Sequence, residues 1–149
     1  MNEWLLGAPY DHAVACLARA GGDLEALPVE VQTLLVVESA QTMIETGGLA
    51  YFYETDFPNN PPYALYVDAY RRIGAEAAAA DLEASLNMFP FAEPHLFEPL
   101  RQLWLEKLAA DPEGAFNRLG TRIAGDETVW VKLQEYVERN ADAFRAVSR

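Results

Sequence analysis

Apolar side chains recur every three or four residues along most of the chain, which is the periodicity of helices with one buried face. Pro9 and the Gly21-Gly22 pair are predicted to bound a first helix, because proline suits a first helical turn and glycine a helix end. Leu27-Pro28 is predicted to open a second helix that runs to Thr46. The apolar stripe of this helix is so broad that we expect it at the centre of the core: Leu34, Leu35, Val36, Val37, Ala40, Met43, Ile44 and Gly47.

The Gly47-Gly48 pair is predicted to end this second helix. Residues 49–53 are aromatic enough for a strand, but no neighbouring segment offers a strand to pair with, so we predict a short helix. Residues 56–62 contain three prolines, which remove amide donors, and are predicted to form a loop.

Five further helices are predicted: 63–72, about 76–88, about 95–109, one that restarts at Asp111-Pro112, and 128 to about 147. The helix at 95–109 is predicted to turn its leucines inward, with Leu96, Leu100, Leu103, Trp104 and Leu108 on the buried side. The last helix is predicted to bury Val129, Leu133, Tyr136, Val137 and Phe144. We therefore predict an all-α fold, a single compact multi-helix domain of roughly six to eight helices.

The length of 149 residues suits one domain, and we find no internal repeat or linker that would divide residues 1–149. The single cysteine, Cys16, has no partner for an intramolecular disulfide and is predicted to be a small buried side chain. No apolar run approaches the roughly 18 residues that span a bilayer. The first residues carry an acid and too short an apolar stretch for a signal peptide, so we expect a cytoplasmic protein.

The formal net charge of −12 is concentrated in one stretch of the chain. Residues 20–100 contain 13 acids and 2 bases, whereas the residues from 101 onward contain eight of each. Such a charge repels nucleic acid phosphates and anionic membranes, so we expect neither direct nucleic acid binding nor membrane binding. An electrostatic partner should be a basic protein.

The sequence contains no glycine-rich phosphate loop, zinc-binding histidine pair, nucleophile elbow or EF-hand loop. His12 beside Asp11 is predicted to have a capping or surface role, because adjacent helical residues point in different directions. Glu93 and His95 supply too few ligands for a specific metal site. The sequence thus leans away from an enzyme, and we predict no catalytic residue, cofactor or metal.

Two kinds of site remain open. The first is a partner-binding surface of acids in the charged stretch, namely Glu38, Glu45, Glu54, Asp56, Asp68, Glu76 and Glu83. The alternative is a pocket for a small ligand or substrate near Glu38, Glu45, Tyr51 and Tyr53. The simpler interpretations are a solvated helix face for the glutamates and core packing for the tyrosines. A further option is a domain whose main property is dimerisation.

Short glycine and aromatic motifs stand at Gly47, Gly48, Phe52, Tyr53, Ile73 and Gly74, followed by Ala75 and by a pattern from Leu133 to Phe144. These motifs resemble the DNA-mimic-protein type of domain, a family largely of unknown function. The chain departs from the family pattern at Thr46, Leu49, Tyr51 and Thr55, where Asn, Phe, Gln and Asn are favoured. The resemblance covers about residues 28–144, and the kept positions are structural, so fold transfers better than function.

The resemblance implies an all-helical fold. It also implies, from at least one family member, an acidic dimer whose carboxylates imitate DNA phosphates and occupy a DNA-binding regulator. Our first hypothesis is therefore a non-enzymatic interaction protein that binds a basic protein such as a transcription regulator, either alone or as a homodimer.

Overall fold

The computed structural model describes residues 3–57 and 59–145. Over these residues the chain forms seven α-helices and no strand, which confirms the all-α prediction. The helices are α1 (Glu3–Arg19), α2 (Val29–Glu54), α3 (Tyr63–Arg72), α4 (Glu76–Leu86), α5 (Glu98–Leu108), α6 (Ala115–Ala124) and α7 (Thr128–Arg139). Three short 3-10 helices, Leu24–Ala26, Pro94–Leu96 and Ala141–Phe144, connect or follow them.

Helix α2 is the centre of the fold, as its broad apolar stripe predicted. It packs against α1, α3, α5, α6 and α7. A helix that touches neighbours on several sides needs apolar side chains all round, and residues 33–37 are buried without interruption. Gly47 is the exception in the predicted stripe, because it is exposed.

Two consecutive glycines bend α2 after Thr46. Gly47 (φ −138°, ψ 17°) and Gly48 (φ 72°, ψ −174°) leave helical geometry, and the left-handed φ of Gly48 favours glycine. The chain then resumes as a short helix, as predicted, and turns Leu49, Phe52 and Tyr53 into the core. The bend therefore lets one continuous segment contribute two differently directed faces to the interior.

The junction between α3 and α4 also follows the predicted pattern. Gly74 adopts φ +90°, and the Ala75 amide donates to the Tyr70 carbonyl over 2.9 Å, which turns the chain sharply. Ile73 is buried at this turn. The turn packs α4 against α3, close enough for Arg71 of α3 to reach Glu83 of α4.

Several predicted helix ends were wrong. Helix α1 continues through Pro9, since a proline removes one amide donor without ending the helix here. Helix α4 ends at Leu86 rather than at Met88. Helix α6 begins at Ala115, because the Asp111 carboxylate accepts from the Glu113 amide over 3.0 Å and caps a turn that precedes the helix.

Helix α7 is shorter than predicted. It ends at Arg139, because Asn140 leaves helical geometry (φ −116°, ψ 32°) and a 3-10 turn follows. The last predicted helical positions, 146 and 147, lie outside the described residues. The predicted buried face is nevertheless confirmed at all of its positions, Val129, Leu133, Tyr136, Val137 and Phe144.

The predicted inner face of α5 was wrong at three of its five positions. Leu96, Leu100 and Leu103 are exposed, whereas Arg101 and Leu105 are buried. The other two predicted residues, Trp104 and Leu108, are half-buried and pack against the core. Helix α5 begins at Glu98, after the 3-10 turn Pro94–Leu96, so Leu96 precedes the helix. The inward rotation has a physical cause, because the Arg101 guanidinium donates hydrogen bonds to the buried carbonyls of Tyr53 and Pro94.

An aromatic cluster fills the end of the core where the bent segment of α2 meets α3. The rings of Phe52 and Tyr66 meet edge to face with centroids 5.1 Å apart, and Tyr53 contacts Tyr63 and Phe89 in the same way.

Over the described part of the chain, no helix combines the length and hydropathy that crossing a bilayer requires.

Candidate functional site

Three of the acids predicted to bind a partner surround one arginine on the α3–α4 pair. Arg71 on α3 donates to Glu83 Oε1 over 2.8 Å, and Asp68 and Glu76 lie close enough to contribute to its raised pKa, after Glu83 itself. The same contact lowers the pKa of the Glu83 carboxyl. We call Asp68, Glu76 and Glu83 the α3–α4 acidic group; it carries three negative charges around one positive charge.

The composition of α4 explains why these acids face solvent. Its buried side consists of small residues and one leucine, Ala78, Ala79, Leu82 and Ser85, which allow α4 to lie close to α3 and α6. Glu76 and Glu83 occupy the opposite side and are exposed, as is Asp68 on α3. None of the three accepts a hydrogen bond from the core among the described residues. Glu83 is paired with Arg71 at the surface, and Asp68 and Glu76 face solvent.

Glu54 and Asp56 lie where α2 ends, and both are exposed. Asp56 lies beside Glu98 at the start of α5 and accepts from Arg101 Nη2 over 2.8 Å. A hydrogen bond from Glu98 and the neighbouring guanidinium lower the pKa of Asp56, while the Asp56 contact raises that of Glu98. This junction is a second acidic area, but Asp56 has a structural contact as well.

The sequence did not predict the role of Arg101, a buried arginine that connects separate parts of the fold. Its Nε donates to the Tyr53 carbonyl and its Nη1 to the Pro94 carbonyl, each over 2.9 Å. Together with Asp56, these contacts tie the end of α2 to the turn before α5. The only available signal was an arginine at a position where the helical repeat of Leu105 and Leu108 calls for an apolar side chain.

Glu45 is exposed and belongs to a hydrogen-bond network that reaches inward to the buried Gln41. Its carboxylate accepts from Trp130 Nε1 over 2.7 Å and from Gln41 Nε2 over 2.9 Å. Gln41 Nε2 also donates to the Ile123 carbonyl, and the Tyr70 hydroxyl donates to Gln41 Oε1. These bonds join α2 to α3, α6 and α7. Glu45 is therefore less available to a partner than its exposure alone suggests.

Glu38 is half-buried on α2, and the Thr42 hydroxyl donates to it over 3.3 Å. Burial raises the pKa of its carboxyl, against the weaker effect of Thr42. Its nearest charged neighbourhood is α1, where it raises the pKa of Tyr10 after the larger effect of burial. Glu38 and Glu45 thus face different neighbours, although they share one helix.

The four residues of the alternative pocket are separated in the structure. Tyr53 is fully buried, with its hydroxyl 2.7 Å from Ser85 Oγ, whereas Tyr51 projects from the other side of the helix and is exposed. The described grooves have other linings. One of about 420 Å³ lies between the start of α3 and the Pro94–Leu96 turn, with Tyr63, Phe91 and His95 on its walls.

Cys16 and the two histidines have neighbours that the sequence did not indicate. Cys16 is partly exposed rather than buried; its Sγ lies 3.4 Å from His12 Nε2 and accepts from Arg19 over 3.3 Å. His95 meets the ring of Tyr63 edge to face, and burial lowers the pKa of its imidazole. Within residues 3–57 and 59–145, no three or more His, Cys, Asp or Glu side chains group in a way that would hold a metal ion.

Comparison with known proteins gives one finding. The model of the DMP19-like protein family matches residues 25–140, which covers α2 to α7 and every member of the predicted acidic surface. Neither the curated proteins nor the solved structures yield a match. The bend at Gly47-Gly48, the turn at Gly74 and the acidic group on α3–α4 all lie inside the matched range, and the chain belongs to the DMP19-like protein family.

Proposed function

We propose that this chain is a non-enzymatic DNA mimic that binds a basic DNA-binding protein through carboxylates of its charged stretch. Membership of the DMP19-like family is the observation that carries the proposal. The charge distribution supports it, because the matched range contains nearly all of the excess negative charge.

Most of these acids keep their charge available. Among the described residues, three of the thirteen acids in residues 20–100 form ion pairs, namely Asp56, Asp81 and Glu83. The stretch itself contains two basic residues, Arg71 and Arg72, which are neighbours on α3, and two arginines from beyond it, Arg101 and Arg122, pair with Asp56 and Asp81. The remaining excess of negative charge attracts a basic groove over a long range.

The α3–α4 acidic group is the strongest candidate for the contact. Asp68, Glu76 and Glu83 are exposed on two rigid, packed helices, which hold charges at fixed spacing as a DNA backbone does. Glu54 is exposed at the end of α2, where Gln102 of α5 donates to its carbonyl. Glu38, Glu45 and Asp56 belong to the same predicted set, but burial or contacts within the fold make each of them less free to bind a partner.

The expected partner is a basic protein such as a transcription regulator, whose DNA-binding groove would accept carboxylates in place of phosphates. Binding of this kind accelerates association electrostatically and weakens as salt screens the charges, over a Debye length of about 8–10 Å at physiological ionic strength. Because the mimic and DNA occupy the same groove, the two ligands exclude each other.

Affinity capture from native lysate tests the proposal. The immobilised chain is expected to retain a DNA-binding protein at low salt, to release it as salt rises, and to lose it to added duplex DNA. Capture that persists in duplex DNA, or retention of no basic protein at low salt, would contradict mimicry.

A further inference from the structure

The groove of about 420 Å³ between the start of α3 and the turn Pro94–Leu96 has the composition of a small-molecule site. Its volume lies within the usual range of such sites, about 300–1,000 Å³. Most of its lining residues are apolar, and four carry polar groups: Tyr63, Asn87, Glu93 and His95. We call this space the aromatic groove. A concave, largely apolar lining with a few polar groups is typical of sites that bind a small organic molecule.

Aromatic rings form much of the wall of the groove. The ring of His95 meets that of Tyr63 edge to face with centroids 6.1 Å apart, and Phe91 meets Phe89 in the same way at 6.0 Å. Tyr63 and Phe89 are buried and hold these contacts in place, whereas His95 and Phe91 are half-buried and leave part of their rings accessible. A flat aromatic molecule can therefore pack against the rings of His95 and Phe91.

The hydroxyl of Tyr63 is a polar group that the fold itself does not use. Tyr63 is 4% exposed, yet its hydroxyl forms no hydrogen bond with a described residue, whereas the hydroxyls of Tyr53 and Tyr70 are bonded inside the core. Every fully buried side-chain nitrogen or oxygen in the described parts of the chain has a partner, so the Tyr63 hydroxyl reaches open space. The spaces that Tyr63 lines are the aromatic groove and a cavity of about 10 Å³ that shares Tyr63 and His95 with it.

The charge at the groove is negative. Burial lowers the pKa of the His95 imidazole, against the effect of Glu93, so the ring is neutral at pH 7 and Glu93 is the charged group of the lining. Glu25 lies close enough to raise the pKa of His95 as well, while the neighbouring guanidinium of Arg101 is already paired with Asp56. A carboxylate beside aromatic faces attracts a cation and repels an anion.

We propose that the aromatic groove binds a small aromatic amine as a free molecule. The ring of the ligand packs against Phe91 and His95, its ammonium group pairs with Glu93, and the Tyr63 hydroxyl forms a hydrogen bond with a polar substituent of the ring. The groove contains no member of the α3–α4 acidic group, so the inference does not depend on DNA mimicry.

Titration with three matched probes, followed by amide chemical shifts, tests the proposal. Phenethylamine carries the cation, phenethyl alcohol is its neutral counterpart and phenylacetate its anionic one. The amine is expected to shift the amides of residues 86–95 with a dissociation constant of about 1 mM, and the alcohol to bind about three- to fivefold more weakly. Phenylacetate is expected to bind most weakly. No saturable shift with the amine, or equal dissociation constants for amine and alcohol, would overturn the proposal.

Variants of the lining separate the charge from the ring. Glu93→Gln is expected to weaken binding of the amine to the level of the alcohol and to leave the alcohol unaffected. Glu106→Gln is the matched control, because Glu106 is exposed on α5 and outside the lining. Phe91→Leu keeps apolar bulk and is expected to weaken both probes several-fold. Undiminished binding of the amine in either Glu93→Gln or Phe91→Leu, with circular dichroism confirming the fold, would overturn the proposal.

A hydroxylated probe tests the role assigned to Tyr63. Tyramine adds one hydroxyl to phenethylamine and is expected to bind about threefold more tightly, because it gains a hydrogen bond. Tyr63→Phe removes no hydrogen bond within the described fold and is expected to abolish this gain while phenethylamine still binds. Equal affinities of the two amines for the unmodified chain, or a gain that persists in Tyr63→Phe, would contradict the assigned hydrogen bond.

Discussion

The side chain of Arg101 is only 2% exposed, and its Nη2 lies 2.8 Å from Oδ1 of Asp56, a residue of the loop that joins α2 to α3. Its other nitrogens donate to the Tyr53 and Pro94 carbonyls. One side chain thus fixes the end of the central helix, the turn before α5 and the orientation of α5 itself. The exposure of Leu100 and Leu103 follows from this arrangement, because α5 turns Arg101 inward.

Replacing Arg101 is expected to destabilise the fold severely. Arg101→Leu removes one hydrogen bond to each of the Tyr53 and Pro94 carbonyls and the partner of Asp56, and the free energy of unfolding is expected to fall by about 3 kcal/mol or more. Arg101→Lys is expected to recover little, because an ammonium cannot reproduce the planar fork of donors. Urea unfolding measures both, with the exposed Arg118→Leu as the control. Equal stability of the Arg101 and Arg118 variants would contradict the assigned role.

Replacement by alanine is expected to have opposite effects at Gly48, in the bend of α2, and at Gly7, inside α1. Gly48→Ala places a side chain at φ +72° and is expected to cost about 1–2 kcal/mol of unfolding free energy. Gly7→Ala lies inside α1 with open space around the new Cβ and is expected to stabilise by about 0.5–1 kcal/mol. Thermal or urea unfolding of the two variants checks the signs, and a neutral Gly48→Ala would argue against the bend.

The network around Gln41 is expected to be cooperative. Gln41→Leu leaves the buried Tyr70 hydroxyl and the Ile123 carbonyl without this partner, at a cost of about 2–3 kcal/mol. Adding Tyr70→Phe removes one of the stranded groups, so the double variant is expected to be more stable than the sum of the two single losses. Strict additivity in this double-mutant cycle would show that the two side chains do not interact.

Alkaline pH is expected to unfold the protein. Burial raises the pKa of Tyr63 to about 12 and also raises those of Tyr53, Tyr66 and Tyr70 above the ordinary value. The unfolded chain loses tyrosine protons near pH 10, and the folded chain retains them. The free energy of unfolding is therefore expected to be constant below about pH 9 and to fall as pH rises from about 10 to 12.

Tyrosinate absorbance and circular dichroism, recorded on the same alkaline samples, check this prediction. Ionisation of the buried tyrosines is expected to coincide with loss of helix. Complete ionisation near pH 10 with the helices intact would show that these rings are accessible.

The sequence was informative where local chemistry decides the structure. Proline and glycine positions placed the bend after Thr46, the loop before α3 and the turn at Gly74, because these residues restrict or extend backbone conformation by themselves. Periodicity identified the buried face of α7 for the same reason.

The sequence misled where a tertiary contact decides. A hydrophobicity pattern places the leucines of α5 inside and Arg101 outside. The arginine is inside because it binds the carbonyls of Tyr53 and Pro94, which lie outside the helix. The candidate acids were chosen because they lie in the acidic stretch of the sequence, but which residues each of them contacts depends on how the helices pack. The link between Glu45 and Trp130 crosses from α2 to α7, and no local signal indicates it.

The most direct measurement compares two neutralised variants in the capture of a basic DNA-binding protein. Asp68→Asn, Glu76→Gln and Glu83→Gln together remove the α3–α4 acidic group, and Glu106→Gln, Glu113→Gln and Glu135→Gln remove the same number of exposed charges elsewhere. The account predicts that the first triple variant loses a partner that duplex DNA displaces from the unmodified chain, while the second retains it. Equal retention by both folded variants would contradict the claim that this surface imitates DNA.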